Sequence, residues 1–108
     1  MKININDIRA LAENDGLTLK DYQPIVYKTG WQVATDGVEC HTAQEAMDAI
    51  RQYNGTCGVW LEKGIYYIDK SYRVNTKREA MIVGKACNQI SVLGWRNMKL
   101  AYCKDYSL

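Results

Sequence analysis

Residues 76–81, TKREAM, repeat the pattern of residues 42–47, TAQEAM. Each stretch follows a run in which apolar residues alternate and opens one in which they recur at helical spacing. In each, the Thr hydroxyl is placed to accept the amide three residues on, and the Glu there to reach back to the Thr amide. That is a capping box, the signature of a helix start. Two small or flexible apolar residues, Ala and Met, complete both copies. The two stretches therefore mark two strand-to-helix junctions. The repeat expresses what such a junction needs, because the helix faces diverge after Met47 and Met81.

Working outward from Thr42, one helical face carries Ala43, Ala46, Met47, Ile50 and Tyr53, and the other Gln44, Asp48 and Arg51. Asn54-Gly55 stops this helix. From Thr76 a second helix runs to about Asn88, with Ala80, Val83, Gly84 and Cys87 on its inner face. Gly84 costs about 1 kcal/mol against Ala in a helix interior, so close packing on a sheet is the expected compensation. Between the helices, CGVWLEKGIYYIDKSYRV at 57–74 predicts a hairpin turning near Lys63-Gly64. Before them, PIVYKTGWQVATDGVEC at 24–40 predicts a small meander, turned at Lys28-Thr29-Gly30 and again at Asp36-Gly37. NDIRALAEN at 6–14 predicts a short helix capped by Asn6, with Ile8, Leu11 and Ala12 as its stripe and Asp15-Gly16 as its end. ISVL at 90–93 and KLAYC at 99–103 predict closing strands.

The resulting order, α–βββ–α–ββ–α–ββ, contains βαββαβ. The expected fold is α+β: an antiparallel sheet with helices on one face, a ferredoxin-like core preceded by a short N-terminal helix. The 108 residues suit one domain, with residues 1–23 as helix and lead-in, 24–103 as the core and 104–108 as a tail.

Apolar residues make up 47% of the chain and charged residues 24%, an ordinary globular balance. Eight Tyr and three Trp stand beside no Phe, which suits a shallow core and surfaces that meet a partner. The net charge of +2 hides an asymmetry. Residues 1–53 hold five Lys/Arg against eight Asp/Glu, and residues 54–108 hold nine against four. A basic footprint for nucleic acid or for an acidic protein surface has this form, although interleaving of the two halves could erase it. MKININDIRALAEND at the start carries acids and no continuous apolar run, so neither a signal peptide nor a membrane anchor is expected there. Cys40, Cys57, Cys87 and Cys103 lack CxxC spacing and are expected to stay reduced as small core residues.

Catalytic and metal chemistry find little footing. His41, the one histidine, adjoins Cys40, and neighbours at a strand end point to opposite faces. The scattered cysteines lack paired-ligand spacing, so no metal is expected. No Gly-rich phosphate loop precedes a helix, and no cofactor is expected. The basic run Lys70, Arg73, Lys77, Arg78 and Lys85 is interrupted by Glu79 alone, and Arg78 and Lys85 share a helical face. It reads either as a solvated face or as a track for phosphates or acids.

Some stretches resemble known families. KGIYYI at 63–68 resembles the aromatic strand motif of RNA-recognition-motif domains: Lys63-Gly64 matches its opening and Tyr67-Ile68 its centre, while Ile65 and Tyr66 depart from it. The likeness implies an open sheet face that stacks bases. Residues 74–80, V-x-T-x-x-E-A, are similar to the strand-to-helix junction of sporulation-related repeat and integrase arm-type domains. Residues 65–95 resemble small accessory proteins of bacteriophages and conjugative elements through Tyr67, Asp69, Ser71, Val74, Glu79-Ala80, Asn88-Gln89 and Trp95. That resemblance implies a mobile-element origin and a bacterial cytoplasm, and no reaction.

The expected function is that of a non-enzymatic phage or mobile-element protein that binds and inhibits a host defence component. Trp60 and Tyr66 would anchor the partner, and Lys70, Arg73, Lys77, Arg78 and Lys85 would steer it. The alternative is a single-stranded nucleic-acid binder using the same aromatics and the basic helix. An uncovered edge at KLAYC leaves room for a homodimer.

Overall fold

A computed structural model describes residues 2–108. Its elements run α1 (Ile5–Arg9), β1 (Gly16–Lys20), β2 (Gln23–Pro24), β3 (Trp31–Cys40), α2 (Ala43–Gln52), β4 (Cys57–Glu62), β5 (Ile65–Val74), α3 (Lys77–Ala86), β6 (Ser91–Gly94) and β7 (Lys99–Tyr102), then a 3-10 turn at Cys103–Asp105. The fold is α+β, and the seven strands form one antiparallel sheet in the order β2-β1-β4-β5-β3-β6-β7. The chain divides into two compact units of interleaved segments: Met1–Ile25 with Gly37–Lys70, and Val26–Asp36 with Ser71–Leu108. The long strands β3 and β5 each contribute to both.

In the first unit, α1 and α2 cover β1, β4 and β5. Ile8, Ala46, Met47 and Ile50 from the helices meet Leu19, Val59 and Ile68 from the strands. Burying each large aliphatic side chain contributes about 1.5–3 kcal/mol, so this cluster carries the unit. The inner face of α2 is the one its spacing predicts. The Thr42 hydroxyl accepts the Glu45 amide at 3.1 Å. The Glu45 carboxylate, however, accepts the His41 amide at 2.9 Å, one residue before the amide a capping box would satisfy.

Helix α1 differs from expectation. It is capped by Asn4, whose side chain accepts the amides of Asn6 and Asp7, while Asp7 accepts the Asn4 amide in return. That reciprocal pair starts the helix earlier than Asn6 would, and Ala10 ends it. Leu11 lies beyond the helix yet still packs on the core. Strand β1 follows where the sequence suggested only a lead-in.

Asp36-Gly37 is not a turn. Strand β3 runs through it without a break from Trp31 to Cys40. Gly37 serves proximity instead: a Cβ there would stand 3.2 Å from the Ile68 carbonyl oxygen. Lys63-Gly64 is a true turn, with φ of 50° and 76°, the pair of left-handed residues that a two-residue hairpin demands.

In the second unit, α3 packs Ala80, Met81 and Gly84 toward Val33 of β3, Val92 of β6 and Cys103. The compensation for Gly84 is visible. A Cβ there would lie 3.1 Å from Cys103 Sγ and 3.3 Å from Val92 Cγ1, so the helix sits closer to the strands than Ala would allow without a shift of a few tenths of an ångström. Thr76 accepts the Glu79 amide at 3.1 Å and donates its own hydroxyl to the Glu79 carboxylate at 2.9 Å.

The likeness of the two helices extends to their ends. After α2, Gly55 donates to Ile50 O at 2.8 Å and Asn54 to Arg51 O at 3.0 Å. After α3, Gln89 donates to Gly84 O at 2.8 Å and Asn88 to Lys85 O at 3.2 Å. Both are Schellman motifs with a left-handed Asn, at φ of 53° and 57°.

Candidate functional site

The seven residues singled out by the sequence fall in both units. Trp60, Tyr66 and Lys70 belong to the first; Arg73, Lys77, Arg78 and Lys85 belong to the second.

Register separates the two aromatics. The Lys63-Gly64 turn places Glu62 opposite Ile65, Leu61 opposite Tyr66 and Trp60 opposite Tyr67. Directly opposed residues share a face, so Tyr66 joins Leu61 on the helix-covered side and packs against the core. Trp60 lies on the other side with Tyr67. The sequence held this signal, since a two-residue turn fixes the pairing outward from itself. Trp60 is 43% exposed, and its ring lies over β1, where a Cβ on Gly16 would stand 2.7 Å from Cε3. The same face bears Glu62, and Asp69 opposite Gly58. Lys20 of β1 lies on it as well, two residues after Thr18, which faces Gly58, so its charge is mixed with the acids in excess. Lys70 is exposed on β5.

Arg73 and Lys77 are engaged with their own unit. Arg73 donates through Nε to the Thr29 carbonyl at 2.9 Å and through NH2 to Thr29 Oγ1 at 3.2 Å. Its NH1 reaches Asn75 Oδ1 at 2.7 Å, and the guanidinium sits 5.5 Å from the Tyr27 ring centroid. The Lys77 ammonium stands 5.7 Å from the Trp31 ring centroid and 5.5 Å from that of Tyr106. Two cations read as steering charges thus lie against aromatic rings, which clamps loop and helix together.

Arg78 and Lys85 remain on the outer side of α3, and the structure adds a residue between them. Ile82 is 47% exposed, four residues after Arg78 and three before Lys85. Helical spacing puts Arg78 and Lys85 on one face, but the exposed β-branched residue between them was not read from the sequence. The charge asymmetry survives folding. The first unit holds six Lys/Arg against nine Asp/Glu, the second eight against three, for nets of −3 and +5.

Cys40, Cys57 and Cys103 are buried, and Cys87 is half-buried. Burial pushes the Cys57 thiol up to about 12, with the Asp69 carboxylate adding to the effect. Burial, then Glu45 and Asp48, raises that of Cys40. Neither is a ready thiolate at neutral pH. Among the described residues no three of His, Cys, Asp and Glu gather as a cation site, and no helix is long and apolar enough to cross a membrane.

No family model matches the chain, and no curated protein or solved structure matches it.

Proposed function

We propose that the protein acts by binding, with the outer stripe of α3 meeting an acidic surface on a partner protein. One observation carries this reading: Ile82 stands exposed between Arg78 and Lys85 in a unit of net charge +5. An apolar centre with a polar rim is the usual make-up of a protein contact, and cations in that rim favour on-rate and selectivity toward acids. Glu79, the acid bordering Ile82, is bound to Thr76 at the helix start. The likeness of residues 65–95 to phage and conjugative-element accessory proteins supports a bacterial host protein as the partner and the block of a defence component as the role. The strand order β4-β5-β3-β6, with α2 and α3 as the two crossovers, supports reading β3 to β6 as a ferredoxin-like core.

The test is capture from host lysate by wild type and by Arg78→Glu/Lys85→Glu. A stoichiometric partner held by wild type and lost by the variant supports the reading. The same partner held equally by both, or by neither, ends it.

A second reading, single-stranded nucleic acid, draws on the exposed Trp60 and its neighbour Tyr67. Glu62 and Asp69 beside them repel phosphates, which places this reading behind the first. Oligonucleotide affinity at low salt, falling steeply as salt rises, would restore it.

A further inference from the structure

The outer edge of the sheet at β7 carries information beyond the α3 surface. The Cys103 amide donates to the Ile90 carbonyl at 2.9 Å, extending by one residue the register that sets Ser91 opposite Tyr102. In an antiparallel ladder, alternate residues bond the same neighbour. Lys99, Ala101 and Cys103 therefore turn their backbone groups to β6, and Leu100 and Tyr102 turn theirs outward. Strand β7 is last in the order, so those outward groups face no strand. The far edge, β2, is two residues long and includes Pro24, which has no N–H to offer. Strand β7 has no such protection.

Its side chains match its backbone. Leu100 is 56% and Tyr102 46% exposed, and they share the face turned away from α3. Arg96, Lys99 and Lys104, all exposed, lie before, beside and after them in the chain, Lys99 on the α3 face with Ala101, and Asp105 is the one acid in that stretch. A second copy docking here would bring together two surfaces of the same sign. A strand bearing Glu or Asp at its ends and apolar residues at its centre would find complementary charge, open hydrogen-bonding groups and an apolar face together.

We infer that β7 is a docking edge for an extended, acidic segment of a partner protein, added antiparallel or parallel as an eighth strand through the backbone of Leu100 and Tyr102. This edge is separate from the Arg78–Ile82–Lys85 stripe, so the two surfaces stand or fall independently.

The experiment uses the full chain and two synthetic peptides, EEVTVTVEE and KKVTVTVKK, followed by fluorescence anisotropy and by hydrogen exchange at single amides. The acidic peptide is expected to bind and to slow exchange at Leu100 and Tyr102, and the basic one to bind roughly tenfold or more weakly. Leu100→Pro removes an outward N–H and no ladder bond, so it is expected to keep the thermal midpoint and lose binding. If that variant unfolds, Lys99→Glu/Lys104→Glu serves in its place and is expected to reverse the peptide preference. Arg78→Glu/Lys85→Glu is expected to bind the peptide as wild type does; loss there would place the peptide on α3 and overturn the inference. It is overturned equally by equal binding of both peptides, by no binding at millimolar peptide, or by dimerisation of the free protein that Leu100→Pro abolishes.

Discussion

The indole N–H of Trp95 donates to Gln32 Oε1 at 3.1 Å, although the two residues are 63 positions apart. Gln32 in turn donates from Nε2 to Ser71 Oγ at 3.1 Å. Trp95 and Ser71 are both buried, and Tyr27 meets the Trp95 ring edge-on at 5.5 Å. One amide side chain thus satisfies two buried polar groups, one on β5 and one in the turn after β6. Gln32→Leu keeps the volume and leaves both without that partner. It is expected to lower stability by about 1–3 kcal/mol, read as a lower urea midpoint at unchanged slope.

Lys77 contributes through its charge over two rings, not through an ion pair. Lys77→Met is expected to cost about 0.5–1 kcal/mol, and Lys77→Arg to preserve most of it. If Lys77 were only a solvated steering charge, both variants would melt as wild type does, so thermal midpoints distinguish the roles.

Two glycines with positive φ separate backbone strain from crowding. Gly64 has a φ of 76° and nothing within 4 Å of an added Cβ. Gly64→Ala is expected to cost about 1–2 kcal/mol, the left-handed penalty alone. Gly55 has a φ of 71°, and its added Cβ would meet the Tyr22 ring at 2.5 Å and the Tyr22 backbone nitrogen at 2.6 Å. Tyr22 also donates its amide to the Gly55 carbonyl at 3.0 Å, so it cannot withdraw without losing that bond. Gly55→Ala is expected to be clearly the worse of the two in denaturant.

Cys57 gives the protein an alkaline limit. Its thiol titrates from an ordinary 9.0 in the unfolded chain and from about 12 in the folded one. The stability tied to the protonated thiol is therefore fully present below pH 9 and is lost as pH rises toward 12. Denaturant midpoints measured from pH 8 to pH 10.5 should fall more steeply for wild type than for Cys57→Ala. Parallel profiles would refute this.

What the sequence made legible was local. Thr42 and Thr76 start helices, and Asn54 and Asn88 close them, because each bond involved spans a few residues. Lys63-Gly64 was legible for the same reason. Asp36-Gly37 misled because a dipeptide that favours a turn was claimed by a longer-range demand, the close passage of Ile68. Strand β1 was missed because GLTLK becomes a strand only by pairing with β4, some forty residues later. Of the candidate site, Arg78 and Lys85 were placed by helical spacing, and Tyr66 could have been placed by hairpin register. Nothing near Lys77 or Arg73 in the chain indicates Trp31, Tyr106 or Thr29, so their engagement was not readable.

The interleaving of the two units sets an order for synthesis. All segments of the first unit have been made once Lys70 has been added, whereas Val26–Asp36 must wait for Ser71–Leu108 to supply its companions. During that interval Trp31 and Val33 have no cluster to join. A chain stalled on the ribosome with Lys70 just clear of the exit tunnel is expected to shield Cys57 from a thiol reagent already, while the Trp31 segment stays open to a protease until the remainder emerges.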